Sequence, residues 1–144
     1  MNNACCEVEI IKAPRQQVLI EGPVSAAYLE KLRMNDDLSN FRSPAAQKKA
    51  LIEISNLLEG MIYIVRHNRE IIGYVTFHYP DGYSRWSKHP KILELGAIEV
   101  SPQWRKHGIA EGLLREAFSN PVMEDFIVIT TEFYWHWDLE RSRL

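Results

Sequence analysis

The sequence predicts a single α/β domain. Three features lead to this prediction. Apolar, β-branched runs of strand length alternate with segments whose apolar residues recur at helical spacing. A strand over residues 92–100 is followed by a short loop, a helix and another strand, the order expected of a parallel strand pair. The 144 residues, 46% hydrophobic and 25% charged, suit one domain with a substantial core.

The chain is expected to begin with paired strands and a helix. Residues 8–12 and 17–21 are predicted to form a hairpin, or one strand interrupted around Pro14. Ser25 suits the N-cap of a helix over residues 26–34, because its hydroxyl can accept a hydrogen bond from a free backbone N–H.

A second helix has a stronger start signal. Ser43 suits the N-cap, and Pro44 suits the first helical position, where an N–H would have no helical partner. This helix is predicted to run to about residue 58 and to end at Gly60. Its apolar stripe consists of Leu51, Ile54 and Leu58.

Two apolar, β-branched strands follow, over residues 61–66 and 70–78. The short polar link between them predicts an antiparallel hairpin. Residues 79–90 contain two prolines and a glycine and are expected to form a loop. Its aromatic residues, Tyr83 and Trp86, either line a substrate entrance or anchor the loop to the core.

The stretch after the strand at 92–100 carries most of the information about function. Ser101 and Pro102 end the strand, because proline has no N–H to donate to a sheet. Arg105, Gly108 and Ala110 then occur in the spacing R-x-x-G-x-A. A helix begins at once, with apolar residues at Ile109, Leu113, Leu114, Ala117 and Phe118.

This strand–loop–helix stretch predicts a phosphate site. The free backbone N–H groups at a helix N-terminus lie at the positive end of the helix dipole and attract anions. Gly108 allows close approach of a ligand to the backbone, and Arg105, Lys106 and His107 add cationic or switchable groups at the same point. An ordinary strand-to-helix turn is the alternative, because R-x-x-G-x-A alone is a weak signal.

A last strand is predicted over residues 126–131. It would lie parallel to the strand at 92–100, with the intervening helix as the crossover.

Residues 92–119 resemble the central motif of the GNAT acetyltransferase superfamily, in which [QR]-x-x-G-x-[GA] follows a strand and binds the pyrophosphate of acetyl-CoA. Most of the chain resembles the acetoin-utilisation acetyltransferases of bacilli, GNAT proteins that acetylate a lysine of acetyl-CoA synthetase. This resemblance is carried by LIEGPVS (19–25), IIGYVTFHYPD (71–81), RWS (85–87), ELGAIEV (94–100) and TTEFYWHWDL (130–139).

The resemblance implies the GNAT fold, a mixed and mostly antiparallel sheet with a splayed parallel pair at its centre. It also implies acetyl-CoA as cosubstrate. The backbone N–H of Ile98 would stabilise the oxyanion, and Val100 would hold the pantetheine arm. The pyrophosphate would be bound by the loop and helix start, formed by Arg105, Lys106, His107, Gly108, Ile109 and Ala110.

Two carboxylates on the strand are candidates for the general base that deprotonates the amine. Glu94 lies 11 positions before Arg105, where the histone-type GNAT enzymes have a catalytic glutamate. Glu99 is closer to the loop and would face the opposite side of a regular strand, although a bulge would alter this alternation. The alternative for both is an ion pair at the sheet edge.

Tyr134 is the candidate for the acid that protonates the leaving thiolate, because many GNAT enzymes use a tyrosine after the next strand. His136 is a second candidate. Both occur in the sequence F-Y-W-H-W-D, which instead favours an aromatic wall packed on the sheet.

Composition excludes several other classes of function. A net charge of -2 gives no electrostatic case for nucleic acid, and no apolar run approaches the roughly 20 residues that span a bilayer. The start, MNNACCEVEI, does not match a secretory signal, and the adjacent Cys5 and Cys6 are expected to be reduced thiols in a flexible terminus. A cytoplasmic protein is therefore expected. The five histidines lack metal-ligand spacing, so no metal is expected.

The acetoin-type enzymes continue well beyond W-H-W-D-L, whereas this sequence ends at Leu144. We therefore expect one C-terminally shortened GNAT domain over residues 1–144, and a homodimer that covers the apolar edge of the strand at 126–131. Three hypotheses of function stay open. They are a lysine N-acetyltransferase acting on acetyl-CoA synthetase, a non-catalytic acyl-CoA-binding regulatory module, and a small-molecule amine acetyltransferase.

Overall fold

The computed structural model describes residues 4–10 and 16–131. The strands are β1 (Ala4–Ile10), β2 (Gln16–Gly22), β3 (Arg33–Met34), β4 (Met61–His67), β5 (Glu70–His78), β6 (Ile92–Val100) and β7 (Ile127–Ile129). The helices are α1 (Ala26–Glu30), α2 (Pro44–Ser55) and α3 (Ile109–Phe118), with 3₁₀ turns at Pro102–Trp104 and Pro121–Asp125.

These strands form one mixed sheet in the order β1-β2-β4-β5-β6-β7, and β3 pairs with β5. The pairs β1–β2, β2–β4, β4–β5 and β5–β6 are antiparallel, which confirms both predicted hairpins. β6 and β7 pair in parallel from Ile92–Ile127 to Glu94–Ile129, and α3 lies between them in the chain, as predicted. Within the described residues this parallel pair closes the sheet at one end rather than lying at its centre.

The sheet has a hydrophobic core on each face. On one face, α3 buries Ile109, Leu113 and Ala117 against β2, β4, β5 and β6. On the other face, α1 and α2 bury Leu29 and Leu51 against β4 and β5. The central strands β4 and β5 are therefore covered on both sides and read as continuous apolar runs.

Both N-terminal helices are shorter than predicted. α1 ends at Glu30 instead of 34, because Arg33 and Met34 pair with the edge of β5 and the Arg33 N–H donates to the Arg69 carbonyl at 2.9 Å. A tertiary strand pairing thus overrides the local helical preference.

The end of α2 was also predicted too late. The helix stops at Ser55, and the N–H groups of Asn56 and Leu57 donate to the carbonyls three residues earlier, at 3.2 and 3.0 Å, so the chain leaves the helix before residue 58. Leu58 consequently is 78% exposed and does not extend the apolar stripe.

β6 contains a β-bulge at Gly96. Thr76 pairs with Ala97 and Phe77 pairs with Leu95, so Gly96 is an extra residue that faces no partner in β5. A Cβ at this position would lie 2.3 Å from His78 Nε2, a distance that real side chains do not occupy. Only glycine fits this bulge without displacing its neighbours.

The two cysteines are part of the sheet. Cys5 and Cys6 lie in β1, opposite Glu21 and Ile20, rather than in a flexible terminus.

In the part of the chain that is described, the helices are too short and too polar to cross a membrane. The same residues contain no group of three or more His, Cys, Asp or Glu side chains that could hold a metal ion.

Leu113 tests the packing of α3, because it is fully buried at 0% exposure. We expect Leu113→Ala to lower the free energy of unfolding by about 2–5 kcal/mol, the cost of lost burial and a residual cavity. Arg115→Ala on the same helix removes an exposed i,i+4 ion pair with Glu111 and should change it by less than about 0.5 kcal/mol. Urea unfolding measures the free energy of unfolding of both variants. Equal values for the two would contradict the described packing.

Candidate functional site

The loop between β6 and α3 has an unusual backbone. Lys106 and Gly108 both have left-handed φ values, of 65° and 77°. Gly108 occupies the N-cap of α3 and makes no side-chain capping bond, so the first backbone N–H groups of the helix have no capping partner. Left-handed residues just before a helix turn successive N–H groups toward one point, which is the geometry of an anion-binding nest.

A cavity of about 240 Å³ opens at this loop. A Cβ added at Gly108 would meet no heavy atom within 4 Å, so the space in front of this residue is open. The cavity is lined by residues of the end of β6, the loop and the first turn of α3, namely Val100, Trp104, Arg105, Lys106, Gly108, Ile109, Ala110 and Glu111. Six of the eight residues predicted to bind the cofactor therefore lie together, while Ile98 and His107 are outside this lining.

Arg105 fixes the loop to the strand. Its Nε donates a hydrogen bond of 2.9 Å to the Val100 carbonyl, across the turn that separates β6 from α3. Next to it, Trp104 is buried and its ring lies 5.1 Å from that of His67. These contacts hold the cationic loop at the end of the strand.

The backbone of β6 is open on one edge beyond Glu94. Pairing with β7 ends at Glu94–Ile129, and within residues 4–10 and 16–131 no other strand pairs with this edge. The Ser101 N–H donates to the Ile72 carbonyl on the β5 side at 2.8 Å. Because N–H groups alternate between the two edges of a strand, those of Ile98 and Val100 point to the open edge.

The bulge brings both candidate carboxylates to one face. Glu94 lies opposite His78 and Glu99 opposite Tyr74. The two glutamates are five positions apart and would face opposite sides of a regular strand, but the extra residue Gly96 brings them to the same side. This face is the one covered by α2.

Glu99 is 3% exposed, and both of its carboxylate oxygens accept hydrogen bonds. Oε1 accepts from the Asn40 N–H at 2.9 Å and Oε2 from the Tyr74 hydroxyl at 2.5 Å. Burial and the neighbouring carboxylate raise the pKa of Tyr74 far above its ordinary value of 10.0, so this hydroxyl stays a donor. Glu99 thereby ties the loop before α2 to the strand.

Glu94 has a different environment. It is half-buried, and within the described residues its side chain makes no hydrogen bond or ion pair. Its carboxylate is accordingly available to a ligand on this face. The candidate acids Tyr134 and His136 lie outside the described residues.

A second, narrower cavity of about 130 Å³ lies on the α2 face of the bulge. Its floor is formed by Thr76, His78, Gly96 and Ala97, and its walls come from α2 and the loop before it. A further cavity is lined by Trp86 with its neighbours Ser84 and Arg85, and by the end of β7. Trp86 therefore lines an opening beside the sheet, whereas Tyr83 is fully exposed.

The model of the acetyltransferase (GNAT) family matches residues 30–120, which include β6, the loop and α3. The chain belongs to the GNAT family. This result confirms the predicted family and fold, and acetyl-CoA is the cosubstrate of GNAT acetyltransferases.

Curated GNAT relatives include the acetoin utilization protein AcuA of Bacillus licheniformis and that of Bacillus subtilis. Each is 46% identical over 132 residues. The match covers 90% of this chain and 63% of each relative, so the chain spans less than two thirds of their length.

Solved structures give the same result. The crystal structure of an acetoin utilization protein from Exiguobacterium sibiricum superposes with a TM-score of 0.85 at 44% identity, over 100% of this chain and 69% of that one. An aminoglycoside N-acetyltransferase in complex with CoA has a TM-score of 0.59 at 17% identity, over 84% of this chain and 80% of its own, and supports the fold alone.

Three features of this GNAT site were not predicted from the sequence. The Asn40–Glu99 bond joins residues 59 positions apart and leaves no local pattern. A bulge in this strand was left open as an alternative, but its position at Gly96 was not predicted, although an isolated glycine within a strand often marks one. The burial of Gln47 was also missed, although it lies one helical turn before Leu51 on the same stripe of α2.

The raised pKa of Tyr74 makes the stability of the fold depend on pH in the alkaline range. Above about pH 10 an unfolded chain releases the tyrosine proton and the folded chain keeps it, so the unfolded state binds fewer protons and stability falls as pH rises. Below about pH 10 the tyrosine is protonated in both the folded and the unfolded chain, so its contribution to stability is fully present. We expect Tyr74→Phe to lose about 1–3 kcal/mol near neutral pH, because Glu99 loses a donor, and to show a smaller alkaline fall.

Urea unfolding from about pH 8 to about pH 11 measures both effects. Tyr83→Phe is the control, since Tyr83 is fully exposed, and it should follow the wild type throughout. Equal alkaline slopes for Tyr74→Phe and the wild type would contradict the described bond.

Proposed function

We propose that this chain transfers the acetyl group of acetyl-CoA to the amine of a protein lysine. The observation that carries the proposal is the position of two sites along one strand. The loop with free helix N–H groups lies at the end of β6, and a cavity lies on the α2 face of the same strand at Gly96, where His78 of its floor pairs with Glu94. A reaction between a phosphate-bearing acyl donor and an amine needs both sites close together.

The loop suits the pyrophosphate of acetyl-CoA. The N–H groups of Ile109 and Ala110 and the positive end of α3 attract its charge, and Arg105 and Lys106 add cationic groups. The open space before Gly108 admits the phosphate without a clash. The pantetheine arm would extend along the open edge of β6 and hydrogen-bond to Val100.

Acetyl-CoA supplies a thioester whose carbonyl carbon is attacked by the amine. The Ile98 N–H faces the open edge and is our candidate donor to the oxyanion that develops. The new C–N bond forms, the C–S bond breaks, and CoA leaves as the thiolate, which takes up a proton. Tyr134 remains our candidate for the group that supplies it.

We propose Glu94 as the general base that takes the proton from the amine. Glu99 was the other candidate, but two donors already occupy its oxygens and it is almost fully buried. A buried carboxylate with both oxygens already hydrogen-bonded is better suited to holding the loop before α2 in place than to accepting a proton. Glu94 has no such partners among the described residues.

The size of the acceptor cavity favours a lysine over a bulky amine. A volume of about 130 Å³ corresponds to roughly four water molecules, which fits the end of an aminoalkyl chain but not an aminoglycoside ring system. Resemblance to the acetoin-utilisation acetyltransferases suggests acetyl-CoA synthetase as the protein acceptor. A cytoplasmic location and self-association along β7 remain predictions that accompany this proposal.

Cofactor binding is tested by thermal and urea unfolding with CoA, acetyl-CoA and ATP in parallel. A ligand at about 100 times its dissociation constant should add roughly 2.7 kcal/mol to the free energy of unfolding. CoA and acetyl-CoA should stabilise the wild type more than ATP, which lacks pantetheine. Gly108→Ala should reduce this gain, because its methyl group enters the open space and φ is left-handed.

Gly82→Ala is the matched control, since a Cβ there also meets no neighbour and the residue lies away from the loop. Gly82→Ala should retain the full stabilisation by CoA and acetyl-CoA. Absence of stabilisation by CoA in the wild type would rule out the proposed acyl donor.

Proton transfer is tested with Glu94→Gln. We expect turnover with acetyl-CoA synthetase or a lysine peptide to fall about 10²–10⁴-fold, the usual contribution of a general base, while stabilisation by CoA is retained. Glu124→Gln, an exposed carboxylate in the second 3₁₀ turn, should leave turnover unchanged. Unchanged turnover in Glu94→Gln would remove Glu94 from the mechanism.

A further inference from the structure

Gln47, one of the residues that line the second cavity, has a buried polar atom that lacks a partner within the described residues. Gln47 lies on the inner face of α2 and is 3% exposed. Its Oε1 is buried and accepts no hydrogen bond within the described residues. Because an unsatisfied buried amide oxygen costs stability, its retention in a folded domain requires an explanation.

Gln47 forms part of the wall of the cavity above the bulge. Across this cavity, His78 Nδ1 donates to the Tyr79 carbonyl at 2.7 Å, so in the neutral ring Nε2 is an acceptor, and it lies beside Gly96. The Thr76 hydroxyl already accepts from the Ala97 N–H at 3.0 Å. Gln47 Oε1 therefore receives no hydrogen bond from the described residues, although donor groups also line the cavity, among them the guanidinium of Arg42.

We propose that Gln47 determines specificity for the acceptor, with its Oε1 accepting a hydrogen bond from the amine N–H of the lysine side chain. This inference rests on the proposed function, since it places the lysine in the cavity beside the thioester. The cavity has room for the end of an aminoalkyl chain, as its volume indicates.

The chemistry of the amine explains why such a contact selects it. A neutral primary amine has two N–H bonds and a lone pair, so one hydrogen can bind Gln47 while the lone pair attacks. The remaining hydrogen is lost to the base. A hydroxyl has one hydrogen, and donating it to Gln47 would leave none for the base. The contact therefore favours amines over alcohols and directs the lone pair away from α2.

The test is Gln47→Met, which has similar length and no acceptor oxygen. At saturating acetyl-CoA we expect the KM for a lysine peptide to rise roughly tenfold, in the range of one lost hydrogen bond. The KM for acetyl-CoA and the stabilisation by CoA should not change. The melting temperature of the free variant should equal or exceed that of the wild type, because an unsatisfied buried oxygen is removed.

Lys49→Met is the matched control, with the same replacement on the exposed side of α2. All of its kinetic constants should follow the wild type. An unchanged KM for the peptide in Gln47→Met would overturn the inference. A lower melting temperature with equal changes in both KM values would overturn it as well, since that result indicates a structural role.

A measurement on the wild type covers the case in which the variant does not fold. With CoA bound, n-butylamine should shift the side-chain amide resonance of Gln47 in a ¹⁵N–¹H spectrum, whereas butyrate, which has no N–H, should not. An unmoved resonance would overturn the inference. If the wild type neither binds CoA nor acetylates a peptide, the proposed function fails and the inference with it, whereas failure of the inference alone leaves wild-type acetylation intact.

Discussion

One extra residue in β6 determines which groups of this strand face which part of the site. Without Gly96, the regular alternation of a strand would separate Glu94 and Glu99 onto opposite faces. With the bulge, both carboxylates face α2, while Ile98 and Val100 pack toward α3. The absence of a side chain is essential, because His78 Nε2 occupies the place of a Cβ. The acceptor cavity forms directly over this position.

The loop before α2 depends on this strand for its position. Besides the bond from Asn40 to Glu99, the Ser101 hydroxyl donates to Asn35 Oδ1 at 3.0 Å, and Asn35 Nδ2 donates to Glu70 at 2.7 Å. Asn35 and Ser101 are buried, so these bonds form where water competes little. The wall of the cavity over the bulge is thereby held by polar contacts to the strand that also leads into the loop before α3.

The strands and the turn into α3 could be predicted from the sequence, because their signals are local. Apolar runs bounded by Gly, Pro and Ser mark β4, β5 and β6, and R-x-x-G-x-A marks the turn into α3. The helix ends could not be predicted, because the end of α1 is decided by pairing of Arg33 with β5. The environments of Glu94 and Glu99 also depend on contacts with residues far away in the chain. The sequence of a strand shows that a carboxylate is present, but not which donors form hydrogen bonds with it.

For the binding of an anion, the local charges and backbone N–H groups of the loop would contribute more than the net charge of the chain. The formal net charge is -2, so the molecule as a whole gives a polyphosphate no long-range attraction. Favourable charge is instead concentrated at one point, where Arg105 and Lys106 adjoin the N-terminus of α3. Exposed charges more than about 8–10 Å apart are screened at physiological salt, whereas backbone N–H groups act at contact distance. Recognition of an acyl donor by this fold would therefore rest on backbone geometry, which the left-handed Lys106 and Gly108 impose.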